Sequence, residues 1–255
     1  MKEKRQKEIL DIIETNENEI INLKKLSAKF NVSEMTIRRD LNELENSGLI
    51  KKLFGGQIIR LSSQNEPNYK LRIFEQIKEK EHIANIVKDI ISDNDTIFLD
   101  IGSTCFYIAQ RIKHRNIFVA TTWIPNIIEL SKGYDIKIFN IGGNIDKKEL
   151  QSYGTAAYER ISNFYFNKAI IGVGGFNSNG IYDFRLEIVE LKKKILKCSK
   201  EVILVADHTK FGRFAPILIC KFEDHLIHKL VTSDINKINK DTIDLIKSHG
   251  IELID

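Results

Sequence analysis

Two adjacent arginines, Arg38 and Arg39, lie within VSEMTIRRDLNELENSG, residues 32–48. A guanidinium fork can grip two acceptors at once, which suits a guanine edge or a phosphate. On a helical wheel of ~100° per residue, Ile37, Leu41 and Leu44 coincide as a buried stripe. Met35, Arg39, Asn42 and Asn46 fall opposite them, Arg38 on a flank, and Ser33 and Thr36 at the N-terminal end. Asparagine can pair with adenine and methionine can touch a thymine methyl, so this set suits a duplex groove. The start of such a helix does most of the base reading, and its free amides favour a phosphate. The competing reading is a solvated helix with i,i+4 pairs, Arg38 with Glu34 and Arg39 with Glu43. Asp40 would repel phosphate and lies near the buried stripe, which assigns it to structure, paired with a basic neighbour.

A second set of residues suits a small anion. In TIFLDIGSTCFYIAQRI a strand ends at Asp100, and Gly102, Ser103 and Thr104 open a helix. Glycine permits close approach of a ligand, and the hydroxyls with the first-turn amides suit phosphate. A plain helix cap with a turn glycine explains the loop equally well. No Gly-Lys-Ser/Thr follows, so it is not a nucleotide-binding P-loop. Similar edges follow other strands: ATTW with Thr121, IGGN with Gly142 and Gly143, GVGG with Gly174, and ADHTKFG with Asp207 and Lys210. Ligands of open parallel sheets sit outside the carboxyl ends of strands, so five converging edges weigh more than one. Lys210 could neutralise a phosphate, and Asp100 and Glu187 could accept from sugar hydroxyls. Lys148 is a further anion contact, although a solvated side chain accounts for it slightly better.

Elements must position both sets. Ile9, Ile12 and Ile13 mark a first helix; Asn22 can cap a second, LKKLSAKF; Ser33 can cap the third, which Gly48 ends. LIKKLFGGQIIR then reads as a hairpin about Gly55 and Gly56, with Lys51 and Lys52 on its first strand, where a wing reaches backbone phosphates. The order is that of a winged helix-turn-helix, expected over residues 1–60. Residues 61–72 are polar, contain Pro67 and read as a linker. Residues 73–255 carry unbroken apolar runs separated by helical stretches such as Ser103–Ile112 and 187–198. That alternation implies an α/β fold with a mostly parallel sheet covered on both faces.

Composition bounds the function. Residues 22–60 hold eight basic and four acidic side chains, a surplus equal to the net charge of +4 on all 255 residues. No run is apolar enough to span a bilayer, and the charged start lacks a signal-peptide core, so a cytoplasmic protein is expected. Cys105, Cys198 and Cys220 are scattered, which supports neither a disulfide frame nor a cysteine zinc site. No metal, cofactor or catalytic residue is expected.

SEMTIRRDLNELENSGLIKKLFGG resembles the helix-turn-helix of the DeoR family of bacterial transcription regulators. The family's Ser-x-x-Thr-Ile-Arg-Arg-Asp-Leu is matched over residues 33–41, with the wing glycines following. Asp-x-Gly-Ser-Thr, the later Gly-Gly, GVGG, Glu187 in FRLEIVELKKKIL and Ala-Asp-x-x-Lys-Phe-Gly resemble the family's sensor domain. The resemblance implies a fold similar to ribose-5-phosphate isomerase and CoA transferases. It also implies a repressor of a sugar-metabolism operon, a phosphorylated sugar effector that relieves repression, double-stranded operator DNA as partner, and a homo-oligomer with dimers reading DNA. Two departures stand out: Thr121-Thr122-Trp123 where members often have Thr-Asn-Ser, and Gly174 where many have aspartate. Trp123 could stack on a sugar face or simply fill space. The alternative function is a sugar-phosphate isomerase with Asp100 and Glu187 as acid and base, against which stand the N-terminal domain and the lack of a positioned histidine.

Overall fold

A computed structural model of the chain describes residues 2–15, 23–46, 50–52, 58–60 and 69–255. It divides into two compact units, Met1–Pro67 and Asn68–Asp255.

The first unit holds α1 (Lys2–Thr15), α2 (Leu23–Phe30), α3 (Glu34–Asn46), β1 (Ile50–Lys52) and β2 (Ile58–Arg60). The two strands pair antiparallel, Lys51 opposite Ile59. Its core is Ile9, Leu10 and Ile13 from α1, Leu26 from α2, Ile37, Leu41 and Leu44 from α3, and Ile50 and Ile58 from the strands. The helix-period stripe of α3 is therefore its buried face. Asn31 turns the chain with a φ of 50°, and Ser33 Oγ accepts from the Thr36 amide at 3.2 Å, capping α3. The expected caps at Asn22 and Gly48 and the turn at Gly55 and Gly56 lie outside the described residues.

The second unit begins with α4 (Tyr69–Arg72) and α5 (Ile77–Ile90). Residues 69–72, read from sequence as the end of the linker, form a helical turn instead. Tyr69 is buried edge-on against Trp123, and Arg72 Nη2 binds Glu149 Oε2 at 2.7 Å. Thereafter come β3 (Thr96–Leu99), α6 (Ser103–Ile112), β4 (Phe118–Thr121), α7 (Ile124–Leu130), β5 (Lys137–Asn140), β6 (Asn144–Asp146), β7 (Gln151–Tyr153) and α8 (Thr155–Ile161). The chain continues through β8 (Phe166–Gly172), β9 (Gly175–Asn177), β10 (Gly180–Asp183), α9 (Leu186–Lys197), β11 (Ser199–Val205), β12 (Ile217–Lys221), β13 (Lys229–Val231), α10 (Lys240–Ser248) and β14 (Glu252–Ile254).

Seven strands form one sheet in the order β14-β13-β11-β8-β3-β4-β5, every pair parallel. Small antiparallel sheets β12-β10-β9 and β6-β7 flank it. Neighbouring residues of one strand serve opposite cores. Phe98, Ala169, Ile171, Val202 and Leu204 pack with Ile161, Val189 and Ile195 on one side. Ile97, Leu99, Ile170, Ile203 and Val205 pack with Ile83, Val87, Ile108 and Ile112 on the other. Both faces are buried, so the strands read as unbroken apolar runs. Among the described residues no helix is long and apolar enough to cross a membrane.

Candidate functional site

In the first unit the candidate residues stand on the outward side of α3. Met35 is 74% exposed, the Arg39 side chain is 80% exposed, and Ser33, Arg38 and Asn42 are exposed while Thr36 is half-buried. Asp40, at the buried edge, holds a fork from α1: Arg5 Nε at 2.5 Å and Nη2 at 3.2 Å. The i,i+4 pair of Arg39 with Glu43 exists at 3.6 Å, but Lys2 at 2.6 Å and Gln6 at 2.9 Å hold the same carboxylate more closely. The bond from Lys2, then that from Gln6, draws the Glu43 pKa down. α1 thus holds Asp40 and Glu43, two of the four acids of the helix, and Arg39 is only the more distant partner of Glu43. Lys51 and Lys52 occupy β1 as the wing reading expected.

In the second unit, sheet order decides what meets. From β3 the chain steps one way to β4 and β5, then crosses back to β8 and steps the other way through β11 and β13 to β14. The order reverses between β3 and β8, and in such sheets the crevice at the carboxyl ends of those strands is where ligands bind. Asp100 and Gly102 follow β3, Gly172 ends β8, and Gly174 lies two residues on. Thr121 ends β4, Gly142 and Gly143 follow β5, and Asp207 and Lys210 follow β11. Glu187 opens α9, exposed. Lys148 is exposed on the β6–β7 connection, its amide bound to Asp146 Oδ1 at 2.7 Å.

Gly102 adopts φ 126°, ψ 157° at the start of α6, a conformation that favours glycine. Gly142 and Gly143 also have positive φ, and a Cβ on Gly143 would stand 2.4 Å from the Tyr153 carbonyl oxygen. Ser103 and Thr104 are 6% and 8% exposed on the first turn of α6. Asp207 caps the turn His208–Lys210 by accepting from the Thr209 amide at 3.0 Å. Thr121 is fully buried, and its Oγ1 accepts from the Trp123 amide at 3.2 Å.

At the switch point lies a residue the sequence reading passed over. Lys192 on α9 is 3% exposed and places Nζ 2.9 Å from Asp100 Oδ2, 2.7 Å from Asp183 Oδ2 and 2.6 Å from the Gly172 carbonyl. The Gly172 amide donates to Asp100 Oδ2 at 3.1 Å. Asp100 therefore ties β3 to β8 across the switch point, and this oxygen is already engaged. Burial pushes the Asp100 pKa up, with Lys192 opposing. Burial works against the Lys192 ammonium, yet the facing charges of Asp100 and Asp183 raise its pKa and keep it charged. A wheel of α9 could have found it: Lys192 falls at i+3 and i+4 from Val189 and Ile188 and three before Ile195, on the apolar face.

The two departures noted above have physical explanations. Trp123 is 0% exposed, packed among Tyr69, Ile101 and Ile188, with Nε1 donating to the Glu149 carbonyl at 2.6 Å. It fills space. A Cβ on Gly174 would meet the Phe184 ring at 2.9 Å and Asp183 Cα at 3.0 Å, so Phe184 occupies the room a side chain there would need.

The chain matches two family models: the DeoR-like helix-turn-helix domain over residues 5–63 and the DeoR C terminal sensor domain over residues 75–234. It is 32% identical over 238 residues to the HTH-type transcriptional regulator GolR of Listeria innocua, covering 92% of this chain and 91% of that protein. It is 35% identical over 199 residues to the glycerol-3-phosphate regulon repressor of Escherichia coli, covering 77% and 79%. Among solved structures, ribose 5-phosphate isomerase A from Neisseria gonorrhoeae aligns at 16% identity and a TM-score of 0.38, over 52% of each chain.

Proposed function

Because this chain belongs to the DeoR family of DNA-binding transcriptional regulators, we propose that it represses a sugar-metabolism operon and releases it when a phosphorylated sugar binds the second unit. On this reading α3 enters the major groove. Arg39, Asn42, Met35 and Thr36 read base edges there, while Ser33, Arg38, Lys51 and Lys52 hold phosphates and register. The observation that carries it is the division of α3: a face buried by Ile37, Leu41 and Leu44, and an opposite face on which Arg39 is 80% exposed, its partner Glu43 held more closely by Lys2 of α1.

The effector reading rests on the switch point. Gly102, Ser103 and Thr104 offer backbone amides and hydroxyls at the start of α6, the arrangement that suits a phosphoryl group. Lys210 supplies positive charge from the neighbouring edge, and Gly142, Gly143 and Gly174 shape the surrounding edges by letting Arg160, Tyr153 and Phe184 pack closely against them. Asp207, Lys148 and Glu187 border the sugar end, while Thr121, fully buried and bonded to the Trp123 amide, and Asp100, with Lys192, act by holding the edges beneath. Two copies read two half-sites, and the effector shifts the population toward a pairing that no longer matches them. The relatives are regulators by name, and the isomerase alternative finds no support in them.

Fluorescence anisotropy at fixed salt tests the proposal, using the chain's own upstream DNA against random duplex, with and without each of a panel of sugar phosphates. Preference for the upstream duplex, lost on adding one member of the panel, is expected. Equal affinity for both duplexes excludes the reading.

A further inference from the structure

Beside the crevice, three potential metal ligands converge from distant parts of the sequence. Glu79 on α5, His208 after β11 and Asp234 after β13 bring one ligand atom each within 4.8 Å of one another. His208 Nδ1 lies 3.7 Å from Asp234 Oδ2. That nitrogen is closed off from solvent and has no hydrogen-bond partner among the described residues. Buried polar atoms in native proteins are nearly always satisfied, so an orphan imidazole nitrogen facing carboxylates calls for a missing partner. A second imidazole stands nearby. His82 is three residues along α5 from Glu79, its Nε2 is 3.9 Å from Asp255 Oδ1, and its field reaches Asp234. Lys237 rests its ammonium on Asp234 Oδ2 at 2.8 Å, and its side chain is 55% exposed. It places a positive charge beside Asp234 and within the field of Glu79, from a half-exposed side chain that solvent can take up.

We propose that Glu79, His208 and Asp234 form a binding site for a divalent metal ion of the zinc class, entered by displacing Lys237. One imidazole nitrogen with two carboxylate oxygens suits a borderline ion such as Zn²⁺, whereas Mg²⁺ and Ca²⁺ prefer oxygen alone. Three protein ligands leave a position for water or for His82. The ion would tie α5 to the turns after β11 and β13, fixing the turn that carries Lys210. No sequence motif announces the site, because its ligands come from three separate elements.

Calorimetric titration of Zn²⁺ into the chelator-treated full-length protein tests this. One saturable site per chain is expected. His208→Ala and Asp234→Asn should each weaken it ~10-fold or more. Lys237→Ala should tighten it by removing the competitor, Mg²⁺ should bind far more weakly, and His114→Ala, which alters an imidazole exposed elsewhere, should change nothing. Absence of saturable binding, wild-type affinity in His208→Ala, or equal loss in His114→Ala would overturn the proposal. The melting temperatures of the metal-free variants show whether each is folded.

Discussion

Arg39 stands 80% exposed with a weak 3.6 Å pair to Glu43, so its removal should cost recognition and not folding. Arg39→Ala is expected to lose about 1–3 kcal/mol of discrimination between operator and random duplex, with an unchanged melting temperature; a retained specificity ratio would place base reading on other residues. Lys80 is the opposite kind of residue. It is 3% exposed on α5 and donates to the carbonyls of Arg72 and Glu75. Burial lowers its pKa from 10.5 to about 8. Below about pH 8 both folded and unfolded chains carry this proton, so its contribution is flat. Between there and the ordinary lysine value the unfolded chain binds more protons, so stability rises with pH. Urea midpoints of wild type and Lys80→Met across that window should show the rise in wild type alone; parallel curves would mean the lysine titrates normally.

Gly174 and Phe184 show how elements decide what a residue can be. With the Phe184 ring 2.9 Å from where a Cβ would stand, Gly174→Ala should lower stability by about 1–3 kcal/mol. Adding Phe184→Ala should relieve part of that strain, a coupling that thermal melts of the four combinations would reveal. Helical elements were legible because their period survives in sequence. Residues 103–112 read as a helix and form one, and the stretch read as 187–198 is α9 within a residue at each end. The central strands were legible as apolar runs. The three-residue strands β6, β7, β9 and β14 were not, since so few residues carry no period and pairing with distant partners alone defines them. The candidate site was legible in the glycines, hydroxyls and charged residues that follow the strands, such as Gly102, Thr104, Asp100 and Lys210, but not in what lies beneath them. Lys192 hid in a lysine run that resembles a solvated face, and Trp123 left stacking and space-filling open until its burial among Tyr69, Ile101 and Ile188 settled the matter. Tyr69–Arg72 looked like linker because a four-residue helix held by Glu149, 77 residues downstream of Arg72, leaves no local trace.

At the scale of the whole molecule, the basic surplus falls in residues 22–60 while the sheet and its crevice belong to Asn68–Asp255. A fragment of residues 68–255 is therefore expected to keep sugar-phosphate binding, read as a thermal shift, and to lose all affinity for DNA; operator binding by that fragment would refute the assignment of α3. The seam between β3 and β8 carries a further consequence. It joins Ile97 to Lys168 and Leu99 to Ile170, and its bolt, Lys192, is made later still. The core of the first unit, by contrast, closes among residues 9–58. Contacts so distant in the chain form late, because their loop entropy comes due before any reward. Synthesis and refolding should thus deliver a competent reader of DNA before a competent sensor exists. After dilution from denaturant, operator binding should return first and inducibility second, and a newborn chain should pass through an interval in which it silences its operon regardless of the sugar supply.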